Sequence, residues 1–315
     1  MTPKLNQIKF WLRRQSRASG RLVHCKWLFI ACTILFAGMT GNGYATDVNS
    51  QDYVPAPAGT NVFAFYSQYT TSDEYKSTLG HTITHNTGID VYVNTLRYVH
   101  YFEVLGFAGD LQVLVPVGTL YNAKIAGASL DAAAGIGDPI LATGLWLLND
   151  PAAGRYFGLV QYLFVPIGQY ERGESLNLGE NRWKYDLQAG LYQDLGNNFA
   201  FQVTGDVVWY GANDSAGNGW QRLTQDNTYQ LQAWLSYAFA PTWSVAAGYS
   251  RYWGGDEYLN GVATGNATHK DQLRLELSKF ITPTFQVLGL VQRDFNTEGG
   301  FPENFRGTVR LLQVF

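Results

Sequence analysis

Beyond residue 59, apolar and polar residues alternate one by one along most of the chain. In "WKYDLQAGLYQDL", Trp183, Tyr185, Leu187, Ala189 and Leu191 share one face, and Lys184, Asp186, Gln188, Gly190 and Tyr192 the other. "FAFQVTGDVVWY" sets Phe199, Phe201, Val203, Val207 and Trp209 against Gln202, Thr204 and Asp206. "TYQLQAWLSYAF" sets Tyr229, Leu231, Ala233, Leu235 and Tyr237 against Gln230, Gln232 and Ser236. In "DQLRLELSKF" the opposed sets are Leu273, Leu275, Leu277 and Gln272, Arg274, Glu276, Ser278. A period of two marks β-strands with one apolar face. It predicts strands over about 60–70, 87–100, 107–118, 134–148, 155–168, 183–195, 198–210, 228–240, 243–253, 271–281, 284–294 and 305–315.

Alternation suits a soluble sandwich as well as a membrane barrel, and the connections separate the two. Those at 71–86, 119–133, 169–182, 211–227, 254–270 and 295–304 are long, whereas 149–154, 196–197, 241–242 and 282–283 are short. An outer-membrane barrel has this asymmetry, with an even strand number, short periplasmic turns, long extracellular loops and strands of ~9–11 residues. The expectation is an all-β, transmembrane antiparallel barrel of about 12 strands over residues 59–315. Composition fits: 34 Gly and 15% aromatic residues suit tight turns and two membrane interfaces. A mean hydropathy of −0.13 speaks against a bundle of apolar spanning helices.

Residues 1–45 read as a cleaved signal peptide. A basic stretch without acids precedes the apolar run Trp27 to Met39, and Gly43-Tyr44-Ala45 supplies the small residues of a cleavage site. The run is shorter than the ~18–20 apolar residues of a spanning helix. Cleavage removes both cysteines, Cys25 and Cys32, and seven of the 22 basic residues but none of the 25 acidic ones, leaving a net charge of −10. Nucleic acid is not an expected partner of so acidic a chain. Export points to the bacterial outer membrane. Residues 46–58 are then expected as an N-terminal segment on the periplasmic side. The last strand, "FRGTVRLLQVF", ends on Phe315, as expected of a strand read by the barrel-assembly machinery.

"VLVPVGTLYN" and "LFVPIGQYER" each put a proline, Pro116 or Pro166, in a strand-like run. Proline lacks a ladder donor, so both are expected near outer strand ends, where Gly118 and Gly168 then allow the turn. With "GIGDP" from Gly135 to Pro139, the Val115-Pro116-Val117-Gly118 segment resembles the glycine-rich signature of the outer-membrane family named for the meta-pathway of phenol degradation. The resemblance spans roughly Gly59 to Phe315. It implies a barrel associated with aromatic-compound catabolism and acting as a channel or transporter. "GIGDP" lacks the Lys-Ser/Thr of a P-loop and the third glycine of a dinucleotide turn, so no phosphate site is expected.

Inward positions carry function in a barrel. Strand parity nominates Asp138, Asp186, Gln188, Asp206, Gln230, Gln232, Arg274, Glu276, Arg306 and Arg310 as lumen-lining, with Asp90, Asp110, Gln112, Gln161, Lys184, Gln202 and Gln292 among the further candidates. Arg274, Arg306 and Arg310 would form a basic ladder opposite acids such as Asp186 and Asp206, giving a transverse field that orients a solute. Equally, these charges would pair and fill a narrow interior. Tyr210 and Tyr252 share the inward parity. No Gly-x-Ser-x-Gly elbow occurs, and "HTITH" (His81, His85) has no carboxylate within it, so neither an enzyme nor a metal or other cofactor is expected. The functional expectation is passage of small organic molecules, aromatic or hydrophobic, with outer-membrane lipid around the barrel. The alternative is a structural or surface-binding barrel with a plugged lumen; an outer-membrane hydrolase is a weaker one.

Overall fold

The alternating segments close into one antiparallel barrel in the computed structural model, which describes residues 46–315. Its twelve strands, each paired with the next, are β1 (Asn61–Ser72), β2 (Gly88–Val104), β3 (Phe107–Ile125), β4 (Ile140–Asp150), β5 (Arg155–Phe164), β6 (Lys184–Gly196), β7 (Phe199–Tyr210), β8 (Thr228–Ala240), β9 (Trp243–Gly254), β10 (His269–Thr282), β11 (Phe285–Glu298) and β12 (Phe305–Val314). β12 returns to β1, from Val314 opposite Val62 to Phe305 opposite Thr71, so the sheet has no free edge. Closure matters because hydrocarbon offers no partner to an unpaired backbone N–H or C=O.

Side-chain burial is inside-out relative to a soluble domain. On β10, Leu273, Leu275 and Leu277 are 58%, 59% and 47% exposed, while Gln272, Arg274 and Glu276 between them are 0%, 2% and 3% exposed. The apolar row faces lipid and the polar row faces the interior. Aromatic pairs sit at both rims. Phe199 stacks on Tyr237 at 4.6 Å and Phe239 on Trp243 at 6.1 Å near the short turns. Tyr229 stacks on Trp253 and Tyr185 lies against Trp209 near the long loops. These are the interfacial positions that amphipathic rings favour.

The prolines explain where the barrel departs from regularity. The sequence places Pro116 near the outer end of its strand, but β3 runs on to Ile125 and Pro116 stands inside it, opposite Thr95 on β2. The strand that stops here is its other neighbour. β4 pairs with β3 only as far as Ile140 opposite Leu114, and the ladder resumes with a short strand, Ala133–Ile136, against Val117 to Leu120. The expected strand over 134–148 is therefore broken at 137–139. The Pro116 carbonyl accepts the Gly137 N–H at 2.9 Å, so the edge of Pro116 that carries its ring nitrogen faces this break. A missing donor there leaves no ladder acceptor unsatisfied. β5 ends at Phe164, before Pro166, and residues 165–183 leave the sheet.

Asp138 holds these departing segments together. Its two carboxylate oxygens accept the N–H groups of Gly168 at 3.0 Å and Glu180 at 2.8 Å. A Cβ on Gly168 would stand 2.5 Å from the Gly137 carbonyl carbon, so only glycine permits this approach. Above the neighbouring strands, Asn213–Ala216, Gln221–Gln225, Glu257–Leu259 and Val262–Ala263 form a separate four-stranded sheet from two of the long loops.

Candidate functional site

The barrel interior is occupied by the chain's own N-terminal segment. The sequence reading left residues 46–58 on the periplasmic side; instead they thread the lumen from Thr46, deep inside, to the short-turn rim. There the Gly59 N–H donates to the Tyr101 carbonyl at 2.8 Å. The segment "TDVNSQDYVPAPAG" has no period-two pattern; short of its last residue it pairs with no strand, and it satisfies its backbone through its own turns and through side chains of the wall.

Glutamines supply most of those partners. The Val48 N–H donates to Gln232 Oε1 at 3.2 Å and the Tyr53 N–H to Gln202 Oε1 at 3.1 Å. Gln202 Nε2 donates back to the Asn49 carbonyl at 3.0 Å, and the indoles of Trp234 and Trp146 donate to the carbonyls of Val48 and Tyr53 at 3.1 and 2.9 Å. Amides both donate and accept, which lets inward Gln rows act as a substitute ladder. Apolar contacts complete the seat: Val48 and Tyr53 pack with Leu114, Ala142, Val160 and Tyr162. Tyr53 donates its hydroxyl to Gln188 at 2.9 Å.

Charge fixes the segment from the other side. Asp47 accepts from Arg274, from Arg306 at 3.1 Å and from Tyr252, while Gln230 donates to it at 2.9 Å. Burial pushes the Asp47 carboxyl up, but the two guanidiniums outweigh it and hold it below the usual carboxylate range. Asp52 pairs with Arg310 at 2.9 Å, and Glu276 accepts from Ser50 and from the Asn49 amide. Arg274, Arg306 and Arg310 thus do not form a ladder facing acids across an open pore, because the plug brings their carboxylates to them.

Asp186, Gln188, Asp206, Gln230, Gln232, Arg274, Glu276, Arg306 and Arg310 are all inward and buried, as are Asp110, Gln112, Lys184, Gln202 and Gln292. Asp138 is buried as a backbone clamp and also lines the cavity above the plug. Asp90 and Gln161 point outward instead. Asp90 accepts from Tyr69 and Asn122, and Gln161 from Tyr185, because the inward places beside them are taken by apolar side chains, Ile89 and Val91 on β2 and Val160 and Tyr162 on β5. The sequence reading missed Asp47, Asp52 and Tyr53 of the plug. The available signals were three inward arginines and an inward Gly190, where a Cβ would overlap the Tyr53 ring.

On the long-loop side of the plug lies a cavity of about 390 Å³, floored by Thr46 and Asp47. One wall is apolar: Val91, Leu120, Leu176 and Phe301 belong to a cluster around buried Tyr75 and Ile89. The facing wall is charged. Glu180 accepts from Arg182 at 2.7 Å and from Lys184, and Glu303 pairs with Arg306 and with Lys270 at 3.5 Å. Glu257 also lines this wall, where burial pushes its carboxyl up to about 7 against the pull of Arg182 and the Asn266 amide. Volumes of this size hold small organic ligands.

A closed twelve-stranded barrel with a lipid-facing apolar row and a polar, internally plugged lumen defines an outer-membrane channel-type protein. Residues 71–311 match the family described as "Putative MetA-pathway of phenol degradation", and the chain belongs to that family. It is similar to the COG4313 outer membrane channel from Pseudomonas putida F1, with 33% identity and a TM-score of 0.80 over 85% of this chain and 100% of that one. The translocator domain of the autotransporter NalP from Neisseria meningitidis shares the barrel fold alone, at 13% identity and a TM-score of 0.50 over 84% of this chain and 92% of that one. No curated protein matches the sequence.

Proposed function

We propose that the protein passes small organic molecules, aromatic or hydrophobic with at most one polar end, across the outer membrane. The observation that carries this reading is the two-faced cavity above the plug. A ring has Phe301 and Leu176 to lie against, and a carboxylate or hydroxyl has Arg182, Lys184 or Arg306 opposite. The plug is the barrier such a solute must move, since it fills the lumen below the cavity. No catalytic step is part of this reading.

The density of plug contacts favours a closed resting barrel, so ion flow through the unliganded protein is expected to be small. The test is single-channel conductance of residues 46–315 in a planar bilayer, together with calorimetric titration by benzoate and by toluene. Saturable binding of either solute, with a change in conductance, supports a substrate channel. A folded barrel that binds neither and whose conductance neither alters overturns it, and attention would pass to the outer loops.

A further inference from the structure

We propose that the α-ammonium of Thr46, released when the signal peptide is removed after Ala45, is the counter-ion of two buried carboxylates in the barrel wall, Asp186 and Asp206. The Thr46 nitrogen lies 2.9 Å from Asp186 Oδ2. Its carbonyl is held from two strands at once, by Gln188 Nε2 at 2.9 Å and Gln232 Nε2 at 3.2 Å. The same Gln188 amide donates to Asp206 Oδ2 at 3.2 Å, so the second carboxylate is one side chain away.

Neither acid has a cation. Asp186 is 0% and Asp206 7% exposed, and among the described residues neither forms an ion pair. The nearby bases are engaged elsewhere: Lys184 with Glu180, and Arg274 and Arg306 with Asp47. Oδ1 of each carboxylate is buried without a hydrogen-bond partner, and so are the Thr46 hydroxyl oxygen and Gln230 Oε1. Besides the Thr46 hydroxyl, which can itself donate, two carboxylate oxygens and one amide oxygen thus lack a donor around a residue whose backbone amide offers one. An ammonium offers three donors and the missing positive charge, which is what a buried anion pair requires.

The sequence supplies the chemistry at this residue. Gly43-Tyr44-Ala45 places small side chains at the positions a signal peptidase reads, directly before Thr46. Hydrolysis adds one water across the Ala45–Thr46 bond. The oxygen goes to the Ala45 carbonyl, which leaves as a carboxylate, and the proton it releases joins the hydrogen that water gives to the Thr46 nitrogen to make the ammonium. Processing would therefore create the charge that seats the plug, and a cut one residue away would misplace it.

Two measurements test this. Intact mass and N-terminal sequencing of protein extracted from outer membranes should show Thr46 first; another first residue overturns the proposal. Chains 46–315 are then refolded with the α-amine free, monomethylated (charge and two N–H donors kept) or acetylated (charge removed). A heat-shifted band on a gel confirms a closed barrel in each. Exchange of the Val48 and Tyr53 amides should be at least tenfold faster in the acetylated chain and within twofold of native in the monomethylated one. Equal protection in all three, or equal loss in both modified chains, overturns the proposal. Asp186→Asn with Asp206→Asn should loosen the free-amine chain and add nothing to the acetylated one.

Discussion

The Tyr53 ring lies flat against Gly190, on a strand that has a side chain at every other inward position of its middle. A Cβ at residue 190 would stand 2.3 Å from two of the ring's carbon atoms. Gly190→Ala therefore forces the ring out of its seat among Leu114, Val160 and Tyr162. Overpacking of a tight site costs about 1–3 kcal/mol, here charged to the plug and not to the barrel. Open-channel conductance should rise, with the thermal unfolding of the barrel unchanged, and a bilayer recording beside a melting curve checks both.

Asp47→Asn takes from Arg274 its carboxylate and from Arg306 one of two, the other being Glu303. Removing one partner of a buried pair costs about 3–5 kcal/mol, and the 30% exposure of the Asp47 side chain puts this case at the low end. The uncompensated Arg274 guanidinium should draw anions. Reversal potentials in a salt gradient should shift toward anion preference, and Arg274→Ala with Arg306→Ala should shift it back.

Asp138→Asn tests the clamp behind the outer wall. An amide keeps the shape but accepts with one atom where the carboxylate accepts with two, turning an NH₂ toward the Gly168 or Glu180 N–H. Leaving one buried donor unmet costs about 1–3 kcal/mol. Residues 165–183 should become sensitive to added protease while the strands stay resistant.

Glu257 makes the loop sheet pH-dependent. Its carboxyl is raised from 4.5 to about 7 in the folded protein, so folding favours the neutral form. Below pH 4.5 the group is neutral folded or unfolded and costs nothing. The penalty builds between pH 4.5 and about 7 and is complete above that. Amide protection at Thr264, whose N–H donates to the Glu257 carbonyl, should fall as pH rises from 5 to 8. In Glu257→Gln that slope should be absent.

The strands were legible because a barrel wall imposes strict alternation: Leu273, Leu275 and Leu277 have lipid on one side and Gln272, Arg274 and Glu276 have the lumen on the other. Parity with the polar row assumed inward fails at Asp90 and Gln161, where the interior packs apolar side chains instead. The plug was illegible for the complementary reason. "TDVNSQDYVPAPAG" has the composition of a solvated tail, and nothing local distinguishes Asp47 in water from Asp47 between two guanidiniums. Its trace lay on the far side of the contact, in an excess of inward bases and in a glycine where alternation calls for a side chain. Pro116 was misread because the element that ends beside it is its neighbour.

The plug's partners lie on strands spread from β2 to β12, and its contacts to the wall reach from Arg97 to Arg310. The charged contacts at Arg97 and Arg310 lie on strands that are brought to either side of it only when the last strand joins the first. The expected order is therefore closure first and full seating of the plug second. A pulse of deuterium during refolding should label Val48 and Tyr53 after the β1–β12 amides are already protected.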